Sequence, residues 1–592
     1  MLNLGHMEAV NGVIVKTKRL VRKNLERLIL FLLPLVFTAI NSNWIFTPPT
    51  HNMPDPWFYF SYFRYFFERA AEFPSNTHYF VERLTWIVPG YVIYHIFPPL
   101  IANHVLHLSV YYLAVFSLYG TVSLLYHRRA AFLAALLFGG YPWFLRAAGW
   151  DYTDGTGIAH LCVLIFLLTF VFNAKHWRAI FFLAGAVHAS FLVTNLLWIG
   201  LLPSWLIYFL LLNSQNRKFD LGRLTLAAGY FLVGNLALLG LCGLFYMWAT
   251  GNFFFLENTL KTSIILVDNT ANNLRVVRNY GRYFPWWHVL PMLVFFSASW
   301  TIWWQHAQHR KVERKQFALY LMFVLAYAWL IFWHFFSNPV LIMFPYTSII
   351  IPHTFLLLGT LWAEPLERLA GGHYAAVVIA AISTLLLPAL SLTVFPFIAS
   401  LQGNKPLTAL LGLALLVCLI TATMTKKESL FAGVLMLGII YFFVAENSYV
   451  FVADRNRGRD NFEAIIAASA MIDARYTASP YGAFRLWFRA DENYNTFFSL
   501  AAVYLYPWGS SLDEPLASKK PHEHLALAPK DHIHPQDSIV IISSRSAEDM
   551  LKEANQALAA QNLGVVLENT GYIQKGDFLF NLFFTKTKSM HP

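Results

Sequence analysis

The apolar positions of this chain come in long runs broken by short polar connections, and not at the strict spacing of an amphipathic helix or a strand. A helix that crosses about 30 Å of hydrocarbon needs roughly 20 residues. Measured with that length, the runs predict spans near Leu28–Phe46, Ile101–Tyr126, Ala130–Leu145, Gly157–Phe172, Ala179–Leu196, Trp198–Leu212, Leu221–Trp248, Val289–Trp304, Phe317–Phe336, Tyr346–Trp362, Tyr374–Phe395, Leu407–Met424 and Leu430–Ala445. That makes about thirteen crossings. No charged residue divides the fifth span from the sixth, so that pair is the least constrained part of the count.

Composition agrees with this pattern and excludes a soluble fold. The 592 residues are 57% hydrophobic and 13% charged, with 53 Phe and 19 Trp. No single soluble core could bury that much apolar surface. The expected class is mainly α, a polytopic membrane bundle. Orientation follows from the basic residues. Lys16, Lys18, Arg19, Arg22, Lys23 and Arg27 precede the first span, which predicts a cytoplasmic N-terminus (1–27) and an uncleaved anchor in a cell (inner) membrane. Arg128-Arg129, Lys175 with Arg178, Arg217-Lys218, Arg310-Lys311 and Lys426-Lys427 mark other inward connections, although they do not alternate strictly with the spans above. These loops hold much of the formal +11 charge, so no nucleic-acid partner is needed to explain it. Cys162, Cys242 and Cys418 fall inside spans and read as buried thiols.

Chemistry is expected where charge sits beside the bilayer, because a carboxylate facing lipid costs roughly 2.5–3.5 kcal/mol. Three outer stretches qualify. The first, 47–100, carries Asp55-Pro56 at the head of the aromatic segment Trp57–Arg69, which suits a helix lying in the interface with its rings at headgroup level. Asp55 is either a reactive acid or the cap of that helix. The second, Gly149-Trp150-Asp151-Tyr152-Thr153-Asp154-Gly155, presents two carboxylates that could ligate a divalent cation or supply a base, while Asp154 could equally cap the next span. The third, 251–287, holds Lys261, Arg275, Arg278 and Arg282, more basic than an outer loop should be; it is either a solvated face or a site for anionic oxygens.

An acid in a large first external loop, a second acidic motif between the third and fourth spans, and a C-terminal segment outside the membrane together resemble the GT-C superfamily of integral-membrane glycosyltransferases. The resemblance implies transfer of a sugar from a polyprenyl phosphate or diphosphate carrier to a glycan, lipid or protein acceptor on the extracytoplasmic face. It places Asp55 on the first-loop catalytic acid, Asp151 and Asp154 on the second-loop acids, and Arg83 on the basic residue that aminoarabinose and mannose transferases keep for the donor phosphate. Arg64, Lys261, Arg278 and Arg282 are further candidates for that phosphate, and a divalent cation at Asp151 and Asp154 is a candidate cofactor. Two departures stand out. Asp55 is followed by Pro56 where the protein O-mannosyltransferase branch has Asp-Glu, and Trp286-Trp287 is followed by His288, so the acceptor motif of oligosaccharyltransferases is missing.

From about Glu446 to Pro592 the composition turns soluble and predicts a small extracytoplasmic α/β domain. Its expected elements are a strand at Asp537–Ile542, a helix at Ala547–Ala559, and strands at Gly564–Glu568 and Asp577–Phe584. His522, His524, His532 and His534 match no standard metal spacing. Two other classes stay open: a polysaccharide ligase or polymerase, which uses similar carriers, and a secondary transporter, which would need polar breaks at mid-span, where the main ones in this chain are His188, Asn195 and Asn235.

Overall fold

The computed structural model describes residues 25–46, 55–67, 79–261, 288–391 apart from 310, 337–340, 342–343 and 370, then 458–475, 484–488, 538–560 apart from 544–545, 566–575 and 578–585. Two expected spans, Leu407–Met424 and Leu430–Ala445, and the His522–His534 group lie outside these residues.

The helices in the first half of the chain are α1 (25–40), α2 (Asp55–Tyr65), α3 (Leu84–Ile96), α4 (Pro99–Leu125), α5 (Arg128–Gly139), α6 (Pro142–Gly149), α7 (Thr153–Phe170), α8 (Trp177–Thr194), α9 (Leu202–Asn216) and α10 (Leu221–Thr250). They are followed by α11 (Val289–Ala307), α12 (Arg314–Phe336), α13 (Ile350–Arg368) and α14 (Gly371–Ser391). Among the described residues six helical stretches are long and apolar enough to cross a membrane, or seven if α5 and α6 count as one broken span. The undivided run becomes two helices, because the 3-10 segment Leu196–Leu201, opened by the Asn195 side chain, separates α8 from α9.

The expected straight span Ala130–Leu145 does not form. α5 ends at Gly139, and Pro142 restarts the chain as α6 at an angle of 61°. A proline has no N–H to donate and restricts the residue before it, so the helix stops ahead of it. The bend turns the 149–155 loop into the protein. A second interruption separates the helical turn Phe344–Thr347 from α13 inside the expected span Tyr346–Trp362.

The rings of the aromatic helix α2 do not face outward as composition suggested. Pro56 to Phe63 are all buried, and their rings meet other rings: Phe60 and Phe63 lie 5.6 and 5.5 Å from Tyr94, and Phe58 is 5.5 Å from Phe80. α3 packs along one side, and Phe462 of the C-terminal helix α15 (Gly458–Arg475) meets Phe60 on another.

The C-terminal segment contributes α15, α16 (Ala547–Ala560) and a four-stranded sheet, β1 (Phe484–Phe488), β2 (Ser538–Ser543), β3 (Leu567–Lys575) and β4 (Phe578–Thr585), in the order β1-β2-β4-β3. β1 and β2 are parallel with Phe484 opposite Ser538; the β3–β4 hairpin is antiparallel with an irregularity between Asn569 and Gly571. The strand expected at Gly564–Glu568 instead starts at Leu567 and runs nine residues, because its pairing with β4 continues beyond the apolar run that signalled it.

In the bundle α8 lies along α10, and their contact is close at Gly234, where an added Cβ would sit 2.0 Å from the Phe182 carbonyl oxygen. The adjoining Asn235 Oδ1 meets His188 Nδ1 at 2.8 Å, a polar tie between two apolar helices. Small residues at such crossings let backbones approach in lipid. Gly234→Val should therefore overpack the crossing and lower stability by roughly 1–3 kcal/mol, read as an earlier thermal transition of the purified protein in detergent.

Candidate active site

The site is built around Arg83. The 3-10 turn Tyr79–Glu82 delivers it to the start of α3, and its side chain is 7% exposed. A buried guanidinium must find partners. Nη1 donates to the Tyr59 hydroxyl at 2.6 Å and to Thr153 Oγ1 at 2.9 Å. The guanidinium carbon also lies 5.8 Å from the ring of Tyr59 and 5.6 Å from that of Tyr152, within cation–π range. One arginine thus joins α2 to the 149–155 loop.

Asp55 opens α2 with Pro56 in the same first turn, and Tyr59 follows one helical turn later on the same face. Asp55 is half-buried. Desolvation pushes its carboxyl from 3.8 up to about 6, against the pull of the Arg83 charge. Tyr346, on the helical turn Phe344–Thr347, lies within electrostatic reach of both Asp55 and Arg83.

Glycines flank the second acidic motif for a steric reason. A Cβ on Gly149 would lie 2.0 Å from the Trp44 carbonyl oxygen, and one on Gly155 would lie 2.2 Å from that of Ala147. Between them the acids are buried: Asp151 and Asp154 are each 1% exposed. His107 from α4 reaches Asp151 Oδ1 with Nε2 at 3.0 Å, while its Nδ1 meets the Ala148 carbonyl at 2.8 Å. A carbonyl only accepts, so Nδ1 carries a proton. The ring therefore bridges the Ala148 carbonyl and the Asp151 carboxyl. Asp154 is not the cap of a later helix. It sits in the first turn of α7, where Oδ1 accepts from Trp150 Nε1 at 2.7 Å and from the Gly155 amide at 3.0 Å. Its Oδ2 is buried with no hydrogen-bond partner among the described residues, and so is Nε of Arg146, whose charge acts on Asp154. Anionic oxygen at a helix N-terminus is favoured by the backbone dipoles there.

Asp55, Arg83, Asp151 and Asp154 are therefore held on adjoining elements linked through Arg83 and Thr153. The remaining candidates stand apart from that link. Arg64 Nη2 pairs with Asp473 at 3.3 Å, and Lys261 pairs with Glu257 at 2.6 Å on an exposed turn. Arg278 and Arg282 lie outside the described residues. Divalent calcium or magnesium takes six or more oxygen ligands. Among the described residues no group of three or more His, Cys, Asp or Glu side chains gathers, and Oδ1 of each of the two acids takes part in a hydrogen bond. Sequence reasoning missed His107, Tyr59 and Thr153. A histidine in the apolar run of α4 was the available signal, since ionisable groups within spans rarely lack a role.

No protein-family model matches the chain, and neither does any curated protein. Among solved structures it is similar to ArnT from Cupriavidus metallidurans bound to undecaprenyl phosphate, with TM-score 0.44, 13% identity, and 96% of this chain and 98% of that one covered. The apo form of the same protein aligns with TM-score 0.44 at 14% identity over the same shares. An Archaeoglobus fulgidus oligosaccharyltransferase tethered to an acceptor peptide aligns with TM-score 0.39 at 13% identity, over 81% of this chain and 63% of that one.

Next to Arg83, Glu82 is 1% exposed and accepts backbone N–H groups of Asn258 and Thr259 at 2.7 and 2.6 Å. Desolvation raises its carboxyl from 4.5 to about 7 despite those bonds. A folded-state value above the unfolded one means its contribution to stability is complete below about pH 4.5 and is lost as pH rises through about 7. Unfolding midpoints measured from pH 4 to 8 should show this fall in the wild type, and Glu82→Gln should flatten that part of the profile.

Proposed function

We propose that the protein is an integral-membrane glycosyltransferase that moves a sugar from a polyprenyl phosphate or diphosphate carrier to a hydroxyl on a glycan, lipid or protein acceptor at the extracytoplasmic face. One observation carries this reading: Arg83, buried between α2 and the start of α7, is hydrogen-bonded to Thr153 beside the second acidic motif and lies close enough to Asp55 to act on its charge. Transfer needs a base at the acceptor hydroxyl and positive charge at the departing phosphate. Asp55 and Arg83 are one such pair.

In this mechanism the acceptor oxygen attacks the anomeric carbon of the donor sugar. The bond from that carbon to the carrier oxygen breaks, and the carrier phosphate leaves with the electron pair. Asp55 takes the acceptor proton as the new glycosidic bond forms. Arg83 meets the charge growing on the phosphate, while Tyr59 and Thr153 hold the guanidinium in place. Asp151, bonded to His107, and Asp154, bonded to Trp150, are buried behind Thr153 and fix the segment that holds Arg83. Lys261, Arg278 and Arg282 stay proposed donor-phosphate residues on the sequence alone. The N-terminus is cytoplasmic and the segment after about Glu446 is outside, by the distribution of basic connections.

Removing a general base costs about 10²–10⁴ in rate. Asp55→Asn keeps the shape of the side chain without its charge and should lower kcat by that much in protein expressed at the wild-type level; full activity would sink the role. Because the base form of Asp55 appears as pH rises through about 6, the wild-type rate should climb across that region, with the limb missing from the residual activity of Asp55→Asn. Arg83→Ala should weaken binding of a polyprenyl phosphate by roughly 2–5 kcal/mol, measured by titration in detergent, whereas unchanged affinity would remove Arg83 from the donor site.

A further inference from the structure

The chain on both sides of Asp55 is gripped by one helix from the other end of the sequence. Ahead of Asp55, the Arg459 amide of α15 donates to Asn43 Oδ1 at 3.0 Å, and the Phe462 ring lies 5.1 Å from that of Phe46. Beyond Asp55, Phe462 lies 5.2 Å from Phe60 and 6.3 Å from Trp57. Three turns further along α15, Asp473 Oδ2 accepts from Arg64 Nη2 at 3.3 Å and from the Tyr65 hydroxyl at 2.5 Å. From Phe462 to Asp473 the helix rises about 16 Å, comparable to the length of the 11-residue α2.

We propose that Asp473 is a positioning residue for the transfer reaction, and that α15 is a brace setting the place of Asp55, so that the C-terminal segment belongs to the catalytic unit. This rests on the reading of Asp55 as the base. Packing by Phe462 alone would hold α2 near α15 without fixing its rotation, since rings of similar size can slide past one another. The Asp473 carboxylate removes that freedom. Arg64 and Tyr65 are consecutive, so their side chains leave the helix about 100° apart, and a single oxygen that takes both fixes rotation about the axis of α2 as well as displacement along it. Asp55 stands at the far end of the same short helix, where such a rotation carries it away from Arg83. Misplacement of a reacting group by about 1 Å can cost on the order of 100-fold in rate. The sheet shares in the brace, because Glu463 of α15 pairs with Lys575 of β3 at 3.6 Å.

The test uses the full chain purified in detergent, with Asp473→Ala, Asp473→Glu and Tyr65→Phe. Turnover is followed with whichever polyprenyl-phosphate sugar supports it in the wild type, polyprenyl phosphate alone serves as the binding probe, and hydrogen exchange is followed over residues 55–65. Asp473→Ala should lower kcat by roughly tenfold or more while leaving KM for the donor and polyprenyl phosphate affinity near wild type. Exchange over 55–65 should accelerate, and Asp473→Glu should recover part of both effects. Wild-type kcat and wild-type exchange in folded Asp473→Ala would overturn the brace. If Asp473→Ala fails to fold, Tyr65→Phe, which removes one of the two bonds, is read in the same way with smaller changes expected. Full activity of Asp55→Asn would instead overturn the reading of Asp55 as the base, and the exchange of residues 55–65 would still decide whether Asp473 fixes α2.

Discussion

A buried arginine constrains the architecture of the site more than any other residue. Taking a guanidinium out of water is costly unless its donors are used, and Arg83 uses them on groups from α2 and from the 149–155 loop. Those elements must therefore stay where Arg83 can reach them. The ring of Tyr59 also stands 5.8 Å from that of Tyr152, so the same junction is apolar beside its hydrogen bonds and water is kept from competing for them.

The bend between α5 and α6 makes that junction geometrically available. A straight helix through Ala130–Leu145 would have carried its end, and the acids after it, away along the bundle axis. With the break at Gly140-Tyr141-Pro142, α6 turns by 61° and packs against residues 42–45, where the missing Cβ of Gly149 admits the Trp44 carbonyl. Asp151 and Asp154 become buried as a result, and each then needs its own satisfied neighbour: His107 for one, Trp150 and a backbone amide for the other. Burial and hydrogen bonding are here two sides of one requirement.

Placing acids in a dry junction also changes their chemistry. Asp55 and Glu82 are both pushed up by desolvation, to about 6 and about 7, yet their surroundings differ. Glu82 spends its oxygens on the amides of Asn258 and Thr259 and so serves the loop after α10. Asp55 is half-buried beside a cation. A raised carboxyl that water or a hydroxyl can reach is suited to take a proton near neutral pH.

The uninterrupted apolar runs determined by themselves that this chain is a membrane helical bundle, because lipid demands that each crossing satisfy its own backbone. The same runs gave most helix positions to within a few residues, and the two glycine-flanked aspartates marked a loop worth examining. Which runs are broken was less legible, since Gly139-Gly140 and Pro142 were read as part of one span. The aromatic helix was assigned to the interface because composition records how apolar a segment is and not what covers it, and its cover comes from α3 and from α15 some 400 residues away. Arg64 could be seen as a cation but not as the partner of Asp473. His107 could be seen as an oddity of α4 but not as the neighbour of Asp151. Pairings of this kind depend on distance in space, which the order of residues along a chain does not encode, so only the tertiary structure decided that Arg83 stands between Tyr59 of the helix that Asp55 opens and Thr153 of the acidic segment.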